Sequence, residues 1–313
     1  MAVDVLSVGR VSVDLYAKEA NAGFDSQQSF TKSVGGSPTN LAVACAQLGL
    51  SAALATRVGD DEFGKYVINR LNQFGVDTSF VGIQKNAQTP LAFAALTPPE
   101  TPAIVFYRGE AAPDTQLETD SVSEEVVRGS KILWIAQSSL SQGTTSSTCL
   151  EWMRMREKSS HTILDLDYRP TLWASKDEAR RLAGQAIALA SIVVGNLEEC
   201  EVALGTSDPD LAADMLLAAG VKLAIIKLGA EGVLMKSASQ TCLIPAHPVE
   251  VVCGLGAGDA FGGALCFGLL SDWELEKMGS FANAAGALVA TRLTCADAMP
   301  TVLEVEKMLE AAA

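Results

Sequence analysis

The chain has 313 residues, 49% of them hydrophobic, and a formal net charge of −14 from 23 basic and 37 acidic side chains. That is apolar material for a large core, as one big α/β domain or a domain with a small appendage. The acidic balance argues against nucleic acid or an anionic membrane as partner and points to a cytoplasmic enzyme of small molecules.

Residues 3–8 read as a short buried strand closed by Gly9. Residues 11–18 and 29–34 alternate apolar and polar side chains, as half-exposed strands do. Gly35-Gly36-Ser37-Pro38 breaks that pattern, and 39–48 predicts an alanine-rich helix. Residues 52–58 form a buried strand and 62–74 an amphipathic helix closed by Gly75. Residues 91–96 and 104–107 flank Thr97-Pro98-Pro99-Glu100-Thr101-Pro102, the pattern of a hairpin with a stiff turn. Strand-like runs at 132–135, 163–166, 192–194, 223–228 and 232–236 then alternate with helical stretches. Such alternation implies a parallel sheet with helices on both faces. The segments 11–34 and 90–108 interrupt it and are expected to form a small separate sheet, apolar on one face, that covers the site or a partner chain.

Seven scattered cysteines with no C-x-x-C pair read as buried free thiols of a reducing compartment. Two histidines leave no zinc pattern and disfavour a histidine base. Met1-Ala2-Val3-Asp4 shows no basic leader region, and no run reaches the ~20 apolar residues of a membrane span.

Near the end, a strand-like run (249–252) enters Gly254-Leu255-Gly256-Ala257-Gly258-Asp259, and a helix-like run (264–270) leaves the glycines. Glycines there let N–H groups approach a ligand, and the following helix turns its positive end to an anion. Asp259 would repel that anion, so it is expected to take the proton from a hydroxyl attacking a γ-phosphate. No G-x-x-x-x-G-K-[ST] occurs, and Asp259 stands where a dinucleotide fingerprint needs its third glycine.

Other motifs each admit two readings. Gly35-Gly36 with Asn40 suits a polyol, or a turn with a local cap. Asp14 suits sugar hydroxyls at a strand end, or a turn. Asp165, Asp167 and Arg169 share a strand-end face, where Arg169 would suit a phosphate or carboxylate, or the three would pair mutually. Asn196 and Glu199, one turn apart, suit a hydrated magnesium or a capping box. Lys227-Leu228-Gly229-Ala230-Glu231-Gly232 suits nucleotide phosphates or a plain β-turn.

Together these residues resemble the ribokinase (PfkB) family of carbohydrate kinases. Gly35-Gly36-x-Pro38-x-Asn40-x-Ala42 with Gly49 and Gly59 is similar to its first signature, and Gly256-Ala257-Gly258-Asp259 to the heart of its second. The resemblance implies a ribokinase-like three-layer α/β/α core with a mostly parallel central sheet (1–10, 35–89 and 109–313) and a β-sheet lid (11–34 and 90–108) that doubles as a homodimer interface. It implies ATP and Mg²⁺ as cofactors, Asp259 as base and the Gly256, Ala257 and Gly258 amides as an anion hole. Asn196 and Glu199 would organise Mg²⁺ through water, with Lys227, Gly229, Gly232 and Asn283 along the nucleotide. Asp14, Gly35, Gly36 and Asn40 would hold the sugar. Many relatives carry an Asp-Thr pair before the second signature, where this chain has Cys253-Gly254. Sulfur is a poor ligand for a hard cation, so K⁺ activation is not carried over with the rest.

Phe106-Tyr107-Arg108 and Tyr168-Arg169 look like the sugar-acid kinases of the family, where arginine meets the substrate carboxylate. Lys32-Ser33-Val34-Gly35-Gly36, Arg57-Val58-Gly59-Asp60-Asp61 and Asp167-Tyr168-Arg169-Pro170 are most similar to the 5-dehydro-2-deoxygluconokinases of inositol catabolism. The expected reaction is then phosphoryl transfer to the C6 hydroxyl of that sugar acid. The alternatives are a 2-keto-3-deoxygluconate kinase, a fructokinase or ribokinase, and a non-catalytic nucleotide or sugar sensor.

Overall fold

The computed structural model describes residues 3–19, 23–109, 111–159 and 161–312. Met1 and Ala2 of the leader reading, and 20–22 of the first insertion, lie outside them. In chain order the elements are β1 (Val5–Val8), β2 (Ser12–Ala17), β3 (Phe30–Gly35), α1 (Ser37–Gln47), β4 (Ala52–Gly59), α2 (Glu62–Gln73), β5 (Val81–Gln84), β6 (Leu91–Ala95) and β7 (Ala103–Tyr107). They continue with α3 (Glu124–Gly129), β8 (Ile132–Ala136), α4 (Gly143–Met155), β9 (His161–Asp165), α5 (Lys176–Ile187), β10 (Ile192–Asn196), α6 (Leu197–Leu204), α7 (Pro209–Ala218) and β11 (Leu223–Lys227). The last are β12 (Val233–Ser237), β13 (Thr241–Ile244), α8 (Ala257–Leu270), α9 (Leu275–Ala290) and α10 (Val302–Ala312).

Nine strands form the large sheet in the order β13-β12-β11-β10-β9-β8-β1-β4-β5. Its central strands are apolar on both faces, because successive side chains point opposite ways. Val5 of β1 and Trp134 of β8 join the buried cluster that includes α1, α8 and α9. Leu6 and Val8, with Leu133 and Ile135, join the cluster under α4, α5 and α7. This is a three-layer ribokinase-like arrangement. The smaller sheet runs β3-β2-β6-β7 and is built from the two expected insertions.

The sheet is mostly parallel, as expected, with one strand reversed, and two expectations about the glycine-rich stretch need correction. β12 pairs antiparallel with both β11 and β13, so the sheet is parallel only up to β11. Only residues 228–232 separate β11 from β12, too few for a parallel crossover, which forces a hairpin. Residues 249–252 form no strand: Val252 and Cys253 donate their backbone N–H groups to Ala290 O at the end of α9, at 2.8 and 3.1 Å, rather than to a ladder. The last helix of the glycine-rich stretch begins at Ala257, not 264, because Gly256 alone makes the turn, with φ 82°.

The later glycines of that stretch serve helix packing. A Cβ on Gly262 would meet Leu41 Cδ1 at 2.7 Å and Trp134 Cη2 at 2.8 Å, and one on Gly263 would meet Ala44 Cβ at 2.5 Å. α8 therefore lies unusually close to α1, and the two start side by side.

Candidate active site

Parallel strands end at a common edge, and ligands of open α/β sheets collect there. Arg10 beyond β1, Asp165 and Asp167 at the end of β9, Asn196 at the end of β10 and Lys227 at the end of β11 all lie on this edge. A cleft opens beside it, lined by Arg10, Asp14, Gly36, Asn40, Arg169 and Asp259 among others. The small sheet forms its other wall through Ala92, Ala94, Ile104 and Phe106. Alternation along β7 leaves Val105 and Tyr107 exposed outside.

Asp259 is the third residue of α8, in the turn where backbone N–H groups have no carbonyl to bond. The Ser37 hydroxyl donates to its Oδ1 at 2.7 Å and the Asn40 amide to its Oδ2 at 2.8 Å. Burial, with the charge of Asp167, lifts this carboxyl from 3.8 to about 6, against those two hydrogen bonds and Arg169. Asn40 keeps a further acceptor: its Oδ1 is buried and has no hydrogen-bond partner. The two glycines before α1 are explained by close approach. A Cβ on Gly35 would strike the Asp14 carboxylate at 1.9 Å, and one on Gly36, with φ 103°, would strike Arg10 O at 2.4 Å. Asp14 takes the Ser12 hydroxyl at 2.6 Å and has the Tyr16 hydroxyl at 3.2 Å. Burial raises its pKa, opposed by Arg10.

Behind Asp259 lies a charged cluster. Lys227 Nζ sits 3.7 Å from both Asp165 and Glu199, and a Cβ on Gly258 would come within 3.4 Å of it. Burial lifts the Asp165 carboxyl to about 8 although Lys227 draws it down, and its Oδ1 has no hydrogen-bond partner. Asp167 differs: although burial opposes ionisation, Arg169 and Arg10 hold its pKa below the ordinary value. Arg169 Nε pairs with it at 2.9 Å, so the mutual ion pair weighed for this motif does form.

The capping box weighed for Asn196 and Glu199 also forms. Asn196 Oδ1 accepts from Glu199 N at 2.9 Å, and Glu199 Oε2 accepts from Asn196 N at 2.7 Å. The same Oε2 faces Lys227, so capping and a place in the cluster coexist. Gly229 and Gly232 flank the β11–β12 turn with φ of 62° and 108°, and a Cβ on Gly232 would strike Ile244 O at 2.0 Å. Asn283 ties down the exit of β13, donating to Ile244 O at 3.2 Å and Pro245 O at 2.9 Å.

Arg108 does not line the cleft. Its Nε and Nη2 go to Asp114 at 3.3 and 3.0 Å and its Nη1 to Gln142 at 3.2 Å, leaving the side chain 5% exposed. The sequence reading overlooked Ser37, Asp114 and Arg10. Arg10 had a visible signal, a lone charge between the apolar runs of β1 and β2.

No helix among the described residues is long and apolar enough to cross a membrane. A family model described as pfkB family carbohydrate kinase matches residues 3–302. A 5-dehydro-2-deoxygluconokinase of Geobacillus kaustophilus (strain HTA426) is 31% identical over 315 residues, covering 98% of this chain and 94% of that protein. One of Bacillus subtilis (strain 168) is 30% identical and covers 99% and 97%. Among solved structures, a putative ribokinase II from E. coli in complex with ATP and Mg²⁺ superposes with a TM-score of 0.90 at 24% identity, over 99% of each chain. That last likeness speaks to the fold. The family match spans both glycine signatures, the small sheet and the charged strand ends, and with it the chain is placed: it belongs to the pfkB family of carbohydrate kinases, phosphotransferases that act on a sugar hydroxyl.

Proposed function

We propose that the chain is an ATP-dependent sugar-acid kinase that transfers the γ-phosphoryl group to the C6 hydroxyl of 5-dehydro-2-deoxygluconate. The observation that carries this reading is Asp259, a carboxyl lifted to about 6 on the first turn of α8, facing a cleft that also holds two arginines. The names of the relatives from Geobacillus kaustophilus and Bacillus subtilis support the choice of sugar acid.

In this reading Asp259 takes the C6 hydroxyl proton as the new O–P bond forms and the bond to the ADP oxygen breaks. The Gly256, Ala257 and Gly258 amides face the charge on the transferring group, aided by the dipole of α8. Asp14, Gly35, Gly36 and the unsatisfied Asn40 Oδ1 hold sugar hydroxyls, and Lys227, Gly229, Gly232 and Asn283 shape the nucleotide side. No three His, Cys, Asp or Glu side chains converge into a metal cage among the described residues. Mg²⁺ brought with ATP needs only one or two carboxylates plus water, which suits Glu199 and Asn196. When bound, the ion neutralises phosphate charge. The buried Cys253 offers no hard ligand for K⁺.

The small sheet serves as a lid that excludes water, so the phosphoryl group meets an alcohol. Its outer face carries the Phe30–Phe93–Tyr107 ring chain, which supports pairing with a second copy. ADP release over a panel of sugar acids and neutral sugars tests the reading. The largest kcat/KM is expected for 5-dehydro-2-deoxygluconate. Preference for fructose or ribose would refute the sugar-acid assignment, and no ADP release with any sugar would favour a sensor.

A further inference from the structure

Three arginines lie near the cleft, and their donors are in very different states. Arg108 is used up by Asp114 and Gln142. Arg169 is engaged with Asp167 and its side chain is 40% exposed. Arg10 lines the cleft, is 7% exposed, and makes no ion pair among the described residues. Its Nε is buried with no hydrogen-bond partner, and its Nη1 reaches only the Ser12 hydroxyl, at a long 3.4 Å. The guanidinium sits 5.0 Å from the centre of the Phe106 ring, on the inner side of β7.

Arg10 lies in the charge field of Asp14 and Asp167 but hydrogen-bonds to neither, and buried N–H donors left unfilled are costly and call for an acceptor. The nearby carboxylates have donors of their own. Asp14 takes Ser12 and faces Tyr16, and Asp167 takes the Ser138 hydroxyl at 2.6 Å and Arg169. Arg10 is also held in place: its carbonyl accepts the Thr39 hydroxyl at 3.0 Å and packs under Gly36. A planar fork with free N–H groups, fixed at its root and covered by an aromatic ring, matches a carboxylate in two-point contact.

From these contacts we infer that Arg10 receives the carboxylate of the substrate and sets the preference for sugar acids over neutral sugars. The inference rests on the sugar-acid kinase reading and adds the residue that enforces it. Arg108 then acts as a structural anchor of the lid strand.

The test uses the full chain, with 5-dehydro-2-deoxygluconate and its C1 carboxamide as paired substrates. Wild type is expected to favour the acid by at least about 30-fold in kcat/KM, the loss typical when a buried charge loses its partner. Arg10→Gln should collapse that ratio to near one through KM for the acid, with KM for ATP retained. Arg10→Lys should give an intermediate ratio, since a point charge cannot make the fork contact. It also carries the test should the glutamine variant fold poorly. An Arg10→Gln enzyme that loses acid and amide in parallel, or keeps the wild-type ratio, overturns the assignment to Arg10. A wild-type enzyme with no preference for the acid overturns the sugar-acid reading and the inference with it, and that result is visible before any variant is made.

Discussion

The carboxyl of Asp259 makes a demand on the pH dependence of turnover. A base must be ionised to accept a proton, and the carboxyl proposed for that role is held at about 6 by burial and by Asp167, against an ordinary 3.8. The ascending limb of kcat/KM should therefore be half-complete near pH 6, with roughly a tenth of the plateau left at pH 5. A carboxylate with the ordinary value would leave pH 5 on the plateau. The Ser37 hydroxyl, 2.7 Å from Oδ1, favours the ionised form. Losing a hydrogen bond worth about 0.5–1.5 kcal/mol in Ser37→Ala should move the limb upward by roughly 0.4–1 pH unit. Such a shift separates the protein's group from any titration of nucleotide or sugar. Asp259→Asn should lower turnover by about 10²–10⁴-fold on the plateau, and should flatten the ascending limb. ADP measured in quenched samples between pH 4.5 and 8.5 avoids coupling enzymes with limbs of their own. A half-point below pH 5, or a Ser37→Ala limb that stays in place, would refute the argument.

Two further outcomes concern the frame around this group. Gly256→Ala places a Cβ 2.7 Å from Cys295 Sγ on a left-handed backbone, and is expected to cut kcat by about 10²-fold by disturbing the first-turn amides, with melting temperature as the control. A kcat within twofold of wild type would remove those amides from the reaction. Asp114→Ala leaves the Arg108 guanidinium buried and unpaired, so urea unfolding should show a loss of about 3–5 kcal/mol. A loss under about 1 kcal/mol would mean that water reaches the pair.

Much of this architecture is written in local pattern, and its gaps have identifiable causes. The alternating β2, β3, β6 and β7 and the apolar β1, β4 and β8 carry periodicity dense enough to read directly. The true start of α8 was hidden because Gly258, Gly262 and Gly263 suggest a loop, whereas two of them are there to let helices touch. Residues 249–252 suggest a strand, but the N–H groups of Val252 and the following Cys253 are claimed by the end of α9, a contact with no local signature. The short edge strands β5 and β13 hold too few residues to show a period. At the site, residue types were legible and partners were not. Arg108 and Arg10 look alike in a chain of letters, and only packing shows that Asp114 has engaged one and left the other open.

The close contact of α1 with α8 reaches further than packing. Asn40 and Ala44 are one turn apart on α1, and Asp259 and Gly263 one turn apart on α8, so each pair occupies one stripe of its helix. The small pair, Ala44 against Gly263, sets the distance at which the polar pair, Asn40 to Asp259, meets at 2.8 Å. In the proposed mechanism, side chains that never meet solvent or ligand thereby help to set the proton affinity of Asp259, beside its burial and Asp167. A single methyl group one helical turn deeper, on Gly263, would push α1 outward and carry the Asn40 amide away from Asp259, so a change with no polar atom would act on a carboxyl.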